Sequence, residues 1–336
     1  MHRLPPFRYE AATSVDAAIG LLAKHATGAL VVSGGTDLYA NMKQRLFTPP
    51  VLIGLRPIAA LRYIRFDERE GLELGALATL TDIAEHEVVN KKYPALAQAA
   101  AAISTPQLRN MGTIGGNVCL DTRCNYYNQN LDWRQALGYC MKKDGTVCRV
   151  APSSPKCVAV NSSDTAPVLQ AYGARITLAG PRGERSVAVA DFFLNDGIAA
   201  WARQPDEIVT KIQVPAPKPG TRSAYRKMRL RNSFDFPILG IAAMLETDKD
   251  GICSAAKIVL NAVAAKPMEA PKASAALVGT NLNSTALDAA AEEAYAAGKP
   301  LDNTSGSIPY RKRMLRVFAR RALEACIVTT DPANSR

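Results

Sequence analysis

Thr105-Pro106-Gln107-Leu108-Arg109-Asn110-Met111-Gly112-Thr113-Ile114-Gly115-Gly116-Asn117 is the stretch on which the reading of this chain turns. Its companion is Ser33-Gly34-Gly35-Thr36-Asp37-Leu38. The companion lies between a short apolar run, Ala29 to Val32, and a helix that starts near Leu38. That placement suits a phosphate or pyrophosphate: glycines let backbone N–H groups approach an anion, and a helix start adds a favourable dipole. Taken alone, such a loop reads equally well as a tight turn that needs positive φ. It is neither Gly-x-Gly-x-x-Gly nor a P-loop completed by lysine. Two loops of this type could clamp one diphosphate from both sides. Neither opens a full Rossmann unit, so the ligand would be held by a different fold.

Working outward, residues 14 to 25 read as a helix capped by Ser14, with Val15, Ala18, Ile19 and Leu22 on one face. With strands at Ala29–Val32 and Val51–Leu55 they suggest a small α/β unit. Arg62–Phe66 and Gly71–Gly75 look like a hairpin, and helices begin at Thr81-Asp82 and at Tyr93-Pro94, the latter ending near Ser104-Thr105-Pro106. Ala174–Leu178 and Arg185–Ala188 read as antiparallel strands around Gly180-Pro181-Arg182-Gly183, followed by a strand at Ile208–Val214. Pro215-Ala216-Pro217-Lys218-Pro219-Gly220 is the clearest linker and marks a domain boundary. Beyond it come strands at Ala224–Arg229, Gly240–Leu245 and Ala255–Val263, two alanine-rich helices and a basic terminal helix.

The 336 residues are more than one compact core usually takes. The net charge of +11 is spread out, with one dense run at Arg311-Lys312-Arg313 followed by Arg316, Arg320 and Arg321. Leu315, Val317, Phe318 and Leu323 interleave with it at helical spacing. A solvated helix face is the plainer reading of that run, and a docking surface for an acidic protein the sharper one. No aromatic-rich basic stripe points to nucleic acid. Met1 to Pro6 runs into Phe7-Arg8-Tyr9-Glu10 without an apolar export core, and no apolar stretch is long enough for a bilayer. A cytoplasmic protein without membrane contact is expected, with disorder only at Asp331 to Arg336. His2, His25 and His86 are scattered, with His86 read as a salt-bridged helix residue between Glu85 and Glu87. No serine–histidine–carboxylate set or carboxylate pair stands out, so no catalytic side chain is assigned.

Seven cysteines, an odd number in a chain of cytosolic character, argue against a disulfide framework. Five fall between residues 119 and 157. Cys124, Cys140, Cys148 and Cys157 are separated by 15, 7 and 8 residues, among Asn, Gln, Gly, Lys and Pro that suit a loop insertion. Four thiolates from one loop can hold an iron–sulfur cube or a tetrahedral zinc. The paired Cys-x-x-Cys knuckles usual for zinc are missing, which leaves the cluster modestly ahead and scattered buried cysteines open. Cys119, Cys253 and Cys326 read as small buried hydrophobes.

The two glycine runs together, over nearly the whole chain, resemble the FAD subunit of the molybdenum hydroxylases, which carbon monoxide dehydrogenase, xanthine dehydrogenase and 4-hydroxybenzoyl-CoA reductase share. Lys227-Met228-Arg229 and the helix at Pro309-Tyr310-Arg311 extend the likeness to the C-terminal part. The resemblance implies an α+β chain. An FAD-binding fold of the vanillyl-alcohol-oxidase (PCMH) type would cover residues 1–218, as subdomains 1–57 and 58–218, with an insertion at 119–160. A C-terminal domain like that of the carbon monoxide dehydrogenase flavoprotein would cover residues 222–330.

By the same resemblance Val31, Val32, Ser33, Gly34, Gly35, Thr36, Asp37 and Leu38, together with Thr113, Ile114, Gly115, Gly116 and Asn117, contact the diphosphate and ribose of FAD. Ile103 would lie near the flavin, Asp121 and Asp164 would make polar contacts to the cofactor, and Lys227 would approach the ring edge. Read from the residues alone, Ser162-Ser163-Asp164-Thr165 before Ala166-Pro167 makes Asp164 a helix cap.

The segment from Asp121-Thr122-Arg123-Cys124 through Gly138-Tyr139-Cys140 to Cys148 and Cys157 is similar to the β subunit of 4-hydroxybenzoyl-CoA reductase, where the insertion binds a 4Fe–4S cluster. This implies Cys124, Cys140, Cys148 and Cys157 as its ligands. An aldehyde oxidoreductase group also carries a cluster in this subunit, with different cysteine spacing. The implied partners are a large subunit with molybdopterin and a small subunit with two 2Fe–2S clusters, as a dimer of heterotrimers. Ferredoxin would deliver electrons through 4Fe–4S and FAD for reductive dehydroxylation of 4-hydroxybenzoyl-CoA. The alternative is outward flow from an aldehyde-, xanthine- or N-heterocycle-hydroxylating partner to an acceptor.

Overall fold

Three sheets organise the protein, whose computed structural model describes residues 3–328. The first is parallel, with Val51–Gly54 between Arg8–Ala11 and Ala29–Val32. All four residues of the middle strand are buried, as a strand covered on both faces requires. Helix Val15–His25 packs Ala18 and Leu22 into the same core, and Ser14 Oγ caps it by accepting the Ala17 amide at 3.0 Å.

The second sheet is antiparallel, in the order Ile64–Asp67, Gly71–Gly75, Ile208–Val214, Arg175–Gly180, Gly183–Ala188. Its middle strand follows its neighbour Gly71–Gly75 only after a long excursion. That excursion carries helix Pro94–Ala101, the second glycine loop and all the clustered cysteines. Leu72, Leu74, Ile176, Ile212 and Val214 from this sheet share one core with Leu96, Ala99, Val168 and Leu169 from the excursion.

Beyond residue 220 the third sheet runs Met268–Glu269, Cys253–Asn261, Leu239–Thr247, Thr221–Met228, all antiparallel. Helices Ser284–Ala297 and Ile308–Val328 cover it through Leu287, Ala290, Ala294, Leu315, Ala319 and Leu323. The sheet also packs toward the rest of the chain: Tyr225, Ala242 and Val259 belong to the core of the second sheet. Ser223 Oγ meets Tyr172 OH at 2.5 Å and accepts the Ala95 amide at 3.2 Å.

Three sequence expectations need correction. The helix from Pro94 stops at Ala101, before Ser104-Thr105-Pro106. Ser104 takes φ 48°, and Pro106 then starts a separate short helix, Pro106–Arg109, since proline disfavours helical backbone at the residue before it. His86 sits at the junction of two short helices, Leu80–Glu85 and Glu87–Lys92, and not within one.

The basic terminal run is only in part a solvated face: Arg313, Arg316 and Arg321 are exposed, but Arg311 is not. Arg311 is fully buried and donates to Ile238 O at 3.2 Å, Leu301 O at 2.5 Å, Asn303 Oδ1 at 3.4 Å and to Ala262 O. Lys312 donates to Gly298 O at 2.6 Å, and Arg316 and Arg320 pair with Glu292 and Asp288. The run therefore clamps the terminal helix to its surroundings. Among the described residues no helix is long and apolar enough to cross a membrane. Residues 331–336 and His2 lie outside the described residues.

Arg311→Met should leave the Ile238 and Ala262 carbonyls without the guanidinium, while Leu301 O keeps the Asn303 amide. Each unsatisfied buried acceptor costs roughly 1–3 kcal/mol, so stability should fall by about 2 kcal/mol or more. The drop should appear as a lowered midpoint of thermal unfolding; an unchanged midpoint would deny the clamp.

Candidate cofactor sites

The two glycine loops meet. Ser33 Oγ and Thr113 Oγ1 are 3.0 Å apart, across a separation of 80 residues. Gly34 makes the approach possible, because a Cβ there would lie 2.0 Å from the Met111 carbonyl oxygen. Gly35 takes φ 70°, which glycine adopts without penalty. Val31 and Val32 reach the loop from the parallel sheet, and Leu38 opens helix Leu38–Lys43 beyond it.

The loops differ in what they can offer. In the second, the amides of Ile114, Gly115, Gly116 and Asn117 donate to Ala78 O, Ala76 O, Thr113 Oγ1 and Thr113 O at 2.9–3.1 Å. In the first, the amides of Gly34, Gly35 and Thr36 have no acceptor among the described residues. The first loop thus has N–H groups to offer an anion, and the second forms the wall against which it is set. At Gly115 a Cβ would stand 2.8 Å from Ala76 O, so that wall is closely fitted as well.

Asn117 links this region to Asp164. Its Oδ1 accepts from Ser163 Oγ at 2.8 Å and Thr165 Oγ1 at 2.6 Å. Asp164 stands at the start of helix Thr165–Ala171, but it is not the side-chain cap that the sequence suggests. Its backbone is already helical, at φ −69° and ψ −30°, and Ser163 Oγ takes the Ala166 amide instead. The Asp164 carboxylate turns to the third sheet, accepting Tyr225 OH at 2.7 Å and Lys227 Nζ at 2.8 Å. Only 4% of the Asp164 side chain and 3% of Lys227 is exposed, so each charge depends on the other for solvation. Burial pushes the Asp164 carboxyl up, and Lys227 opposes that shift.

Lys227 also donates to Ala102 O at 3.0 Å, where Arg229 donates at 3.1 Å, and Arg109 donates to Ile103 O at 2.9 Å. Three cations thus fix the chain at Ile103, which is half-buried. The sequence reading quoted Arg109 and Arg229 but gave them no role, and it passed over Tyr225, since nothing local shows that they converge on this turn.

Asp121 and Asp37 face the cysteine segment. Asp121 accepts Tyr127 OH at 2.9 Å and Lys142 Nζ at 2.7 Å. Asp37 accepts Asn41 Nδ2 at 2.8 Å and pairs with Arg123 at 3.2 Å, which joins the first glycine loop to the residue before Cys124. Burial pushes the Asp37 carboxyl up, against the pull of Arg123.

Cys124, Cys140, Cys148 and Cys157 line one cavity, together with Tyr127, Lys142 and Arg149. Two devices gather them. The insertion closes at its base, where Arg123 N donates to Val160 O at 2.9 Å and Val160 N to Arg123 O at 2.8 Å. Within it a tight turn folds Cys140 back toward Cys148, with Gly145 N on Cys140 O at 3.1 Å and Met141 N on Val147 O at 2.9 Å. Arg149 stitches the preceding turn by donating to the carbonyls of Leu137, Gly138 and Tyr139.

Burial pushes the Cys124 thiol up to about 12, and the Cys157 thiol up against the opposing charge of Lys142. Among the described residues no three His, Cys, Asp or Glu side chains converge closely enough to hold a single ion. A tetrahedral zinc needs that convergence, with sulfurs about 2.3 Å from the metal. The four thiols share one cavity lining without that convergence. Cys253 and Cys326 are buried in the C-terminal core, as expected, while Cys119 is half-buried against the core of the second sheet.

Residues 5–217 match the family model described as the FAD binding domain in molybdopterin dehydrogenase, and residues 223–326 match the carbon monoxide dehydrogenase flavoprotein C-terminal domain. The chain belongs to the FAD-binding subunits of the molybdenum hydroxylases. It is 32% identical to the carbon monoxide dehydrogenase medium chain of Afipia carboxidovorans, over 95% of this chain and 96% of that one. It is 31% identical to the FAD-binding subunit of an aldehyde oxidoreductase of Escherichia coli, over 92% and 96% of the two chains. Its fold superposes on carbon monoxide dehydrogenase from Hydrogenophaga pseudoflava with a TM-score of 0.80 at 29% identity, covering 97% of this chain and 99% of that one. These likenesses bear out the α+β fold, with its flavoprotein-type C-terminal domain, and an FAD-binding oxidoreductase subunit. They leave its substrate class open.

Gly34→Ala should drive the two loops apart, since its Cβ would meet backbone that cannot yield cheaply; overpacking of this kind costs roughly 1–3 kcal/mol. FAD released per chain on denaturation should fall several-fold. Gly20→Ala, where nothing lies within 4 Å of the added Cβ, serves as the control and should keep its flavin. Full flavin in Gly34→Ala would separate the loop contact from cofactor binding.

Proposed function

We propose that this subunit carries FAD at the joined glycine loops and a 4Fe–4S cluster on Cys124, Cys140, Cys148 and Cys157. It would relay electrons between a molybdopterin-binding large subunit with a 2Fe–2S small subunit and an external redox partner. The observation that carries the reading is the gathering of four thiols around one cavity, tied through Arg123 and Asp37 to the first glycine loop. In that loop the amides of Gly34, Gly35 and Thr36 would receive the diphosphate, with Thr113 to Asn117 behind them. Lys227, held by Asp164, would stand with Ile103 at the flavin, where FAD supplies the exchange between two-electron and one-electron steps.

Outward flow is the reading we favour. It is supported by the relatives, whose names describe dehydrogenation of carbon monoxide and oxidation of aldehydes. The substrate class would then be an aldehyde or a related carbon centre hydroxylated at the partner's molybdenum. The second reading is inward flow from reduced ferredoxin to 4-hydroxybenzoyl-CoA. It is favoured by the spacing of the four cysteines, which resembles the insertion of that reductase.

The complex purified with its partner subunits separates the two. Anaerobic addition of an aromatic or aliphatic aldehyde should bleach the flavin if flow is outward. Bleaching by reduced ferredoxin, reversed by 4-hydroxybenzoyl-CoA, with no response to aldehydes, would establish the inward reading instead. Cys140→Ala should lower the iron content while leaving the flavin in place. Iron equal to that of the unaltered protein would remove Cys140 from the ligand set, and one zinc per chain would end the cluster assignment.

A further inference from the structure

Lys142 is the buried cation nearest to this chemistry whose purpose the cofactor assignments leave open. Its side chain is 5% exposed and lines the cavity that the four cysteines share. Its ammonium donates to Asp121 Oδ1 at 2.7 Å, Thr122 Oγ1 at 2.5 Å and Gly197 O at 2.5 Å. Its ammonium also lies 4.7 Å from the centre of the Tyr127 ring. Asp121, its counter-charge, is absent from the cavity lining and is held from its other oxygen by Tyr127 OH. Gly197 is tied to the cavity too, its amide donating to Cys157 O at 2.8 Å. The cation thus shares the cavity lining with the thiols, and its counter-charge does not.

We infer that the Lys142–Asp121 pair is a potential-setting device, which holds the cluster on the four cysteines at a higher reduction potential than the thiolates alone would give. The inference rests on the cluster reading above. An electron added to a thiolate-ligated cluster leaves it more negative by one charge, and that charge sits in a site largely closed to water. A fixed cation at the wall stabilises the reduced form more than the oxidised form, and weak screening inside the protein strengthens the effect. Hydrogen bonds and nearby charges tune metal centres in this way without being ligands. Its three oxygen partners hold the Lys142 ammonium in place. Lys142 is thus a positioning residue for charge and does not touch the reacting atoms.

Two substitutions at the two ends of the pair test it, in the full complex, with iron content measured alongside. Lys142→Met removes the cation and leaves Asp121 behind it; the cluster's midpoint in a dithionite titration followed by electron paramagnetic resonance should shift down. Asp121→Asn leaves the cation unopposed; the midpoint should shift up. Opposite shifts at unchanged iron content support the device, because mere loosening of the loop would move both variants the same way. Equal midpoints, or shifts of one sign, overturn it. Should Lys142→Met lose its iron, Asp121→Asn alone decides, by moving up or not. An unaltered complex holding no iron beyond that of its 2Fe–2S clusters would instead sink the cluster reading, and the device with it.

Discussion

The buried pair of Asp164 and Lys227 is the contact on which the arrangement of this molecule depends. Neither charge could remain inside without the other, so each fixes where the other's sheet must lie. Asp164 reaches it from the start of a helix under the second sheet, Lys227 from the first strand of the third. Tyr225 joins from the same strand, and the Lys227 ammonium continues to the Ala102 carbonyl. Asn117 and Ser163 connect that point back to the second glycine loop. The C-terminal sheet is therefore part of the wall that positions Ile103, although the linker at Pro215 to Gly220 separates it from the glycine loops in sequence.

Much of the fold could be read from local signals. Val51–Gly54 declares a buried strand by its unbroken apolar run, and Ser14 caps the first helix as its side chain predicts. The glycine loops were legible because a close approach leaves a visible demand for missing side chains. What stayed hidden was where long side chains go. Asp164 occupies a capping position in sequence, yet its helical backbone turns the carboxylate elsewhere. Arg311 belongs to a run that composition marks as surface, yet its guanidinium ends among carbonyls contributed by segments far from it along the chain. In both cases the deciding partner lies on another element, and no local pattern encodes it.

The cysteine insertion divides in the same way. Residue type and clustering mark Cys124, Cys140, Cys148 and Cys157 as a set. The second layer of the site, Lys142, Arg149 and Arg123, is invisible at that level, since lysine and arginine in a loop usually face water. The burial of Lys142 and the half-burial of Arg123 give the loop its own electrostatics, while Arg149 stays exposed. The same layer sets the geometry: Arg149 binds three successive carbonyls and so rigidifies the turn that carries Cys140.

The reciprocal backbone bridge between Arg123 and Val160 brings the two ends of the insertion side by side. A segment whose ends meet can be added to or removed from a host fold without moving the elements that flank it, as a plug leaves its socket. The bridge therefore makes the four-thiol unit a portable module. Arg123, which also grips Asp37, ensures that the module is seated in one orientation against the first glycine loop. A loop closed in this way can carry its four thiols with no change to the flanking fold, and its register with the first glycine loop comes with the insertion point.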